Sequence, residues 1–302
     1  MIKAHPGEFA ALLTAIFWTI TALSFEAASK RIGSLAVNVL RLIAGLVFLS
    51  VFTYFYRGLL LPVDADLQTW SWLILSGLVG FSFGDLCLFQ SFVIIGARIS
   101  MLIMALSPPI TALISWLILG ETLTGWNVAG MIITITGVGM VVLTRDGEDT
   151  GIFRRLRFNF PVWGILLAFG GAVGQAAGLV LSKYGMKDYD PFASSQIRVM
   201  AGIVGFILII TLMKKWKEIL QATRLRKPML QMTTGAFFGP FLGVSFSLVA
   251  VQLANTSVAA TLMSIVPVLI IAPSAILNKE KIRLKEVIGA VVAVTGVCLL
   301  FI

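Results

Sequence analysis

One pattern occurs twice in this chain, and it constrains the fold more than any other feature of the sequence. Residues 97–143 and 256–302 carry the same helix-breaking residues at a constant separation of 159, although most other positions differ. The matching positions are Ser107-Pro108 with Val266-Pro267, Glu121 with Glu280, Gly130 with Gly289, and Thr136-Gly137-Val138 with Thr295-Gly296-Val297. Self-similarity at a fixed offset indicates that one structural unit is used twice. We therefore interpret the chain as two copies of one unit.

Both copies are built from long apolar runs. The chain of 302 residues is 58% hydrophobic and 12% charged, and its mean hydropathy is +0.98. These values lie far outside the usual composition of soluble proteins. Each run has about 20 residues, the length that a helix needs to cross the hydrocarbon core, and about ten runs are present. The sequence therefore predicts an all-α integral membrane protein with ten transmembrane helices.

Few residues are available for enzymatic or metal chemistry. Cys87 and Cys298 lie inside apolar runs, where a thiol usually packs, and the one histidine, His5, precedes the first run. The apolar runs therefore lack the histidine of a hydrolase triad, and the chain has no phosphate-binding loop motif. We expect no enzymatic activity, no cofactor and no metal. The net charge of +9 is explained by loops that face lipid headgroups, so nucleic acid is not an expected partner.

The number of spans in each copy determines how the copies are related. Five spans are predicted per copy, and because five is odd the second copy must enter the membrane in the opposite direction. Inverted repeats of this kind recur in secondary transporters, which bind substrate between the repeats near the bilayer midplane. We expect the first repeat at 1–144, a basic linker at 145–159 and the second repeat at 160–302.

Polar residues inside the apolar runs are the candidates for function, because a charge within the membrane is costly and usually faces protein or water. Asp85 is the predicted coupling residue. At α-helical spacing Ser82 shares its face, whereas Gln90 lies about 140° around the helix. The alternative is an ion pair between Asp85 and Arg41 that only fixes helix packing. The candidates for the substrate cavity or for coupling are Trp18, Thr19, Glu26, Ser82, Asp85, Gln90, Gln175 and Ser245.

Two arginines and two prolines complete the candidate set. Arg41 and Arg198 begin matching segments 157 residues apart, and we expect them near opposite membrane faces as gate residues. Snorkelling of each side chain to the headgroups is the alternative. Pro108 and Pro267 remove backbone donors within spans, so we expect helix kinks there. Gln175 lies on a glycine-rich face of span six, which indicates either close helix packing or a widened cavity.

Several of these features together resemble the EamA family of the drug/metabolite transporter superfamily. The resemblance is carried by Trp18, Lys30, Arg41 with Arg198, Pro108, the Leu-Gly-Glu-Thr-Leu-Thr run at 119–124, and Gly130 with Gly137. It implies ten helices in a basket-like arrangement and a central cavity lined mainly by spans one, three, four, six, eight and nine. It also implies export of amino acids, their derivatives or other small metabolites. This chain has Thr19 after Trp18, where glycine is usual in the family.

The expected function is therefore a secondary active transporter that exports small metabolites by alternating access, with protons as the candidate coupling ion. A membrane-embedded lipid-processing enzyme is one alternative, and a passive channel or structural subunit is another. We expect a multi-pass protein of the plasma membrane whose partners are a small-molecule substrate and the lipid bilayer. The substrate and the oligomeric state stay open, and a monomer is compatible with the sequence.

Basic residues in the loops predict an orientation. Counted along alternate loops, seventeen lysines and arginines fall on one side of the membrane and four on the other. The richer side is expected in the cytoplasm, which would place both termini on the opposite side. Many members of the resembled family are drawn with cytoplasmic termini, so the two arguments disagree.

Overall fold

The chain is almost entirely helical in the computed structural model, which describes residues 6–119, 124–145, 156–253, 259, 262–277 and 282–299. The elements in chain order are α1 (Pro6–Ile32), α2 (Ser34–Arg57), α3 (Leu67–Gly77), a first π-helical segment (Leu78–Asp85), α4 (Leu86–Met104), α5 (Ser107–Leu119), α6 (Gly125–Val142), β1 (Leu143–Arg145), β2 (Leu156–Phe158), α7 (Val162–Met186), α8 (Pro191–Leu212), α9 (Trp216–Ala222), α10 (Arg226–Ala236), a second π-helical segment (Phe237–Gly243), α11 (Val244–Leu253), α12 (Val266–Leu269), α13 (Ile271–Leu277) and α14 (Leu284–Leu299).

Long apolar helices dominate this list. Among the described residues, seven helical stretches are long and apolar enough to cross a membrane. They are Pro6–Ile32, Ser34–Arg57, Leu67–Met104, Gly125–Val142, Val162–Met186, Pro191–Leu212 and Arg226–Leu253. The shorter helices α5, α12 with α13, and α14 fall in the remaining predicted spans. The all-α membrane class predicted from the sequence is confirmed, and the helices are consistent with ten spans.

The stretch Leu67–Met104 contains the join between the third and fourth spans. Its 38 residues would measure about 57 Å as one helix, nearly twice the thickness of the hydrocarbon core. Gly96 breaks the helix with φ 81 and ψ 158, a backbone conformation that residues with a Cβ rarely adopt. Any Cβ at Gly96 would also lie 3.2 Å from Oε1 of Glu26. This glycine therefore lets the chain reverse direction beside the first helix.

A π-helical segment occurs in each copy, and the two segments are 159 residues apart in the sequence. The first π-helical segment begins at Leu78 and the second begins at Phe237. Each carries an extra backbone residue per turn, and both lie within a span rather than at its end. Such wide turns within helices are uncommon and are often found at functional sites. The repeat is therefore visible in local backbone geometry as well as in sequence.

The prolines predicted to kink the chain begin new helices. A turn at residues 105–106 precedes α5, which contains Pro108, and a turn at residues 264–265 precedes α12, which contains Pro267. Proline lacks the backbone N–H, and its ring clashes with the carbonyl four residues earlier, so the preceding helix ends. The two interruptions are again 159 residues apart. Both prolines face the central cavity described below.

Helices of one copy pack mainly against helices of the other. The helix α7 lies along α3, the first π-helical segment and α4, while α1 lies along α10 and α11. In the same way α2 packs on α8, and α6 packs on α14. A Cβ added to Gly174 would clash with the Cα of Gly84, so the backbones of the first π-helical segment and α7 are in contact. Small residues allow this close approach within the membrane.

Loop residues at one end of the helices fix where the helices start and stop. Asp66 caps α3 by accepting a hydrogen bond from the backbone nitrogen of Thr69 at 2.9 Å. Asp190 caps α8 in the same way, accepting from the nitrogen of Ala193 at 2.8 Å. Gly58 ends α2 in the left-handed conformation with φ 72. These residues satisfy backbone groups that helix ends would otherwise leave unpaired.

A small sheet lies at the ends of the predicted linker. The strands β1 and β2 pair antiparallel, with Thr144 opposite Arg157. Residues 146–155 of the linker lie outside the described residues. So do residues 120–123 and 278–281, which contain the predicted hairpin turns with Glu121 and Glu280, and so does His5.

Candidate functional site

A central cavity lies between the two copies. Its volume is about 170 Å³, more than ten times the roughly 10–15 Å³ that one water needs. The walls come from α1, α4, α5, α7, α11, α12 and both π-helical segments, with one arginine each from α2 and α8. Most of the described lining residues are aromatic or aliphatic. The cavity therefore has room for several waters and the largely apolar walls that are typical of a site for a small organic molecule.

Asp85 is the acidic residue among the described residues that line the cavity, and it lies at the end of the first π-helical segment. Its Oδ2 forms an ion pair with Nη2 of Arg41, and its Oδ1 accepts a hydrogen bond from Nε2 of Gln175 at 2.7 Å. The Asp85 and Arg41 side chains are 5% and 4% exposed. Both carboxylate oxygens thus have partners, one from each repeat. Through Gln175, Asp85 links the repeats at the wall of the cavity.

Asn38 holds Arg41 in this position. Its Oδ1 accepts a hydrogen bond from Nε of Arg41 at 3.2 Å, and its Nδ2 donates to the backbone oxygen of Asp85 at 3.2 Å. Asn38 is not among the residues expected at this site from the sequence. The sequence nevertheless indicates a contact between these side chains, because Asn38 and Arg41 are three residues apart and therefore share one face of α2.

Aromatic rings surround the guanidinium of Arg41. Its Cζ lies 4.5 Å from the ring centroid of Phe89, 5.4 Å from that of Phe25 and 5.7 Å from that of Phe81. Ring faces attract a cation, and the attraction is stronger where water is excluded. The arginine is therefore stabilised both by its carboxylate partner and by the cavity's aromatic wall.

Arg198 approaches the same place from the second repeat. Its Cζ lies 5.0 Å from the centroid of Phe81, so Phe81 contacts both arginines. Arg198 is buried with 4% exposure, and it lines the cavity. Its Nε has no hydrogen-bond partner among the described residues.

The predicted placement of Arg41 and Arg198 near opposite membrane faces is wrong, because the two side chains meet at Phe81. Each arginine is the eighth residue of its helix, and therefore lies about 11 Å along the axis from the helix start. Helices that start at opposite faces of a core about 30 Å thick bring such residues within about 10 Å of the same level. Their long side chains cover the remaining distance.

Several other sequence candidates lie away from the cavity lining. Thr19 donates to the backbone oxygen of Ala15 in its own helix at 2.9 Å. Gln90 accepts a hydrogen bond from Oγ of Ser34 in α2 at 2.5 Å. Glu26 is buried beside Lys30, with 2.6 Å between carboxylate and ammonium. Ser245 donates to Oγ of Ser195 at 3.3 Å. The remaining candidates, Trp18 and Gln175, line the cavity together with Asp85, Arg41, Arg198, Pro108 and Pro267.

Ser82 does not share a face with Asp85, which corrects the expectation from α-helical spacing. The chain between these residues is π-helical, so each residue turns the helix less than in an α-helix. Three residues therefore fall further short of a full turn, and the two side chains point in more different directions. Ser82 lies against α8, where its Oγ is 3.5 Å from the backbone oxygen of Gly202. A Cβ added to Gly205 would clash with Ser82. Ser82 therefore packs helices rather than lining the cavity.

A second polar cluster links the repeats at one end of the helices. Arg57 Nη2 lies 2.5 Å from Oδ2 of Asp64, and the hydroxyl of Tyr189 donates to Oδ1 of Asp64 at 2.8 Å. Burial and the bond to Asp64 raise the pKa of Tyr189 to about 12, against the effect of Arg57. Burial alone would raise the pKa of Asp64, but the hydrogen bonds from Tyr189 and Arg57 hold it below its ordinary value. At neutral pH the hydroxyl is protonated and the carboxylate is charged.

A third cross-repeat contact is an ion pair between Arg98, which follows the break at Gly96 in α4, and Glu286 at the start of α14. In the part of the chain that the structure describes, no three His, Cys, Asp or Glu residues come together as metal ligands would.

The architecture and the cavity together define a class of protein. Apolar helices that span a bilayer, a two-fold repeat and a central cavity lined by both repeats are typical of membrane transporters. A comparison with models of protein families identifies the family. The chain belongs to the EamA-like transporter family, whose model matches residues 5–143 and again residues 162–302. It is therefore a multi-pass membrane protein of a transporter family, as the resemblance in the sequence indicated.

Two curated relatives carry transporter names. Solute carrier family 35 member G1 of Homo sapiens is 25% identical over 213 residues, which are 70% of this chain and 56% of the human protein. The uncharacterized transporter YvbV of Bacillus subtilis (strain 168) is 28% identical over 195 residues, which are 64% of this chain and 59% of YvbV. The matched regions thus span somewhat more than half the length of each relative.

A solved crystal structure of a protein has a similar fold. It is 15% identical in sequence, with a TM-score of 0.69, and the match covers 97% of this chain and 96% of that one. At this identity the match concerns the fold alone. It shows that the arrangement of helices along nearly the whole chain occurs in another protein.

Proposed function

We propose that this protein is a secondary active transporter that exports small metabolites, such as amino acids or their derivatives, across the plasma membrane. The observation that supports this most strongly is the central cavity, whose walls come from both repeats and which contains the buried ion pair of Asp85 and Arg41. The repeats are proposed at 1–144 and 160–302, with the linker at 145–159. Substrate would bind between them, as in other inverted-repeat transporters.

Alternating access would use the interruptions in the helices. Each repeat contributes a π-helical segment and a proline-associated break, and both kinds of interruption border the cavity. A helix that is interrupted can bend at that point without losing the hydrogen bonds on either side. The cross-repeat contacts of Tyr189 with Asp64 and of Arg98 with Glu286 lie near the loops, where they can close one side while the other opens. Arg41 and Arg198 are proposed to respond to these changes from the cavity wall.

Asp85 is proposed to couple transport to protons. A charged residue deep in a span costs at least about 2.5–3.5 kcal/mol on insertion scales, and such residues usually serve function. When Asp85 is ionised, it holds Arg41 and Gln175. When it is protonated, it no longer neutralises Arg41, so that arginine becomes available to another anion. Protonation would thereby change both the charge of the cavity and the link between the repeats.

Purified protein in proteoliposomes tests the proposal. Uptake of radiolabelled amino acids and N-acetylated amino acids is measured with and without a pH gradient imposed in either direction. Gradient-driven accumulation above the external concentration supports secondary transport. Equilibration that never exceeds the external concentration and ignores the gradient contradicts it and favours a channel. Chemical conversion of added phospholipid, with no uptake, would favour the enzyme alternative.

A further inference from the structure

The charges that line the central cavity do not cancel. The described lining residues include two arginines, Arg41 and Arg198, and one carboxylate, that of Asp85. The carboxylate is fully engaged, since one oxygen pairs with Arg41 and the other accepts from Gln175. Among the described residues, no hydrogen bond or ion pair reaches the Arg198 guanidinium, and its Nε is buried without a partner.

A buried guanidinium without an acceptor is costly. The Nε–H of Arg198 is buried without gaining an acceptor, and the ring of Phe81 compensates for the lost water only in part. Breaking a buried pair so that one charge stays uncompensated is among the more destabilising changes known in proteins. Because Arg198 lines the cavity, the missing acceptor can be supplied by a molecule that occupies the cavity. Arginine's planar fork matches a carboxylate through two parallel hydrogen bonds.

We propose that the cavity binds small amphipathic organic anions, with the carboxylate of the substrate against Arg198 and its apolar part against the aromatic wall. The rings of Trp18, Phe25, Phe89 and Phe92 line the cavity beside the charged groups. A bound monocarboxylate would bring the lining charge to zero. A cation would raise it, and a zwitterion would leave its ammonium without a carboxylate, because Asp85 already holds Arg41. The inference rests on the proposed function, since it names the substrate class of the same cavity.

Four probes of similar shape separate these possibilities. They are 3-phenylpropionate, 3-phenylpropionamide, 3-phenylpropylamine and phenylalanine, and thermal unfolding of the purified full chain in neutral detergent reports their binding. We expect 3-phenylpropionate to raise the unfolding temperature at concentrations about tenfold or more below those needed for the other three. Equal or better stabilisation by the amide, the amine or phenylalanine would overturn the proposal. So would no stabilisation by any probe.

Variants assign the effect to Arg198. In Arg198→Gln the affinity for 3-phenylpropionate should fall by about tenfold to a hundredfold, whereas Arg198→Lys keeps the charge and should retain part of it. Arg224→Gln removes an exposed arginine and should bind like the unmodified protein. A folded Arg198→Gln variant with unchanged affinity contradicts the proposal. If Arg198→Gln does not fold, the affinity of Arg198→Lys and the probe series on the unmodified protein decide whether the proposal holds.

The failure of this inference can be told apart from the failure of the proposed function. Binding of 3-phenylpropionate without any uptake in proteoliposomes would support the anion site and refute transport. Uptake of phenylalanine without binding of 3-phenylpropionate would support transport and refute the anion site. A lipid phosphate also carries negative charge, so mixed micelles of the neutral detergent with phosphatidylglycerol are tested in parallel. Stabilisation by that lipid but by none of the soluble probes would assign Arg198 to a headgroup and overturn the proposal.

Discussion

Asp85→Asn is the substitution that separates a coupling residue from a structural ion pair. Asparagine keeps the size of the side chain and an oxygen that can accept from Gln175, but it cannot ionise. The positive charge of Arg41 then loses the carboxylate that pairs with it in the structure. A loss of stability and a loss of proton coupling would therefore both follow from the loss of this contact.

The expected loss of stability can be estimated from the burial of the pair. Both side chains are nearly inaccessible, at 4% and 5% exposure, and removing one partner of a buried pair costs about 3–5 kcal/mol. At about 2 °C per kcal/mol for a large chain, the unfolding temperature should fall by about 6–10 °C. The double variant Arg41→Gln with Asp85→Asn removes both charges. It should recover part of that loss, because neither position then leaves a buried charge that has lost its partner.

The transport assay decides the role of Asp85. If it couples transport to protons, Asp85→Asn should abolish accumulation driven by a pH gradient, while exchange of substrate across proteoliposomes continues. Glu218→Gln, which changes an exposed carboxylate on α9, is the matched control and should transport normally. A folded Asp85→Asn variant that still accumulates substrate with the original pH dependence would refute the coupling role and leave a static ion pair.

Three further predictions concern packing, pH and orientation. Gly174→Ala places a methyl group against the backbone of Gly84 and should lower the free energy of unfolding by about 1–3 kcal/mol. Gly139→Ala, whose methyl group meets no atom within 4 Å, should leave the unfolding temperature unchanged. Equal effects would contradict the packing argument. The pKa of Asp64 lies below its ordinary 3.8. The stability from its bonds to Arg57 and Tyr189 is therefore complete above pH 3.8 and is lost only as the pH falls below that value. Asp64→Asn should therefore lower the unfolding temperature equally at about pH 5 and 8. The loop charges predict termini outside the cytoplasm, so a carboxyl-terminal fusion to a reporter active only in the cytoplasm should give no signal, and a strong signal would contradict the charge argument.

Much of the fold could be predicted because the decisive signals are local. Apolar runs of membrane length specify spans, and Pro108 and Pro267 interrupt helices wherever they occur. The matching positions at an offset of 159 residues identified the repeat without any knowledge of packing. The π-helical segments could not be foreseen, since nothing in the residues 78–85 distinguishes a wide turn from an α-helix. That is why Ser82 was expected on the face of Asp85.

The candidate site was only partly predictable because it depends on depth and on packing between the repeats. The sequence identifies Asp85, Arg41 and Arg198 as unusual residues within spans, and it indicates Asp85 with Arg41 as one possible pair. It does not show that α2 and α8 pack together and bring both arginines to Phe81. Thr19 and Ser245 are polar residues of the kind that lines cavities, but they satisfy their hydrogen bonds within or between helices.

Accessibility of the cavity from both sides of the membrane is the most direct test of alternating access. A single cysteine is placed in the cavity wall by Ser107→Cys, in a background with Cys87→Ser and Cys298→Ser, since Ser107 lines the cavity. Reconstituted protein is exposed to a membrane-impermeant maleimide from one side at a time. We expect labelling from each side, with the two rates changing in opposite directions when the pH gradient is reversed. Labelling from one side only under every gradient, or from both sides at rates that do not respond to it, would contradict alternating access.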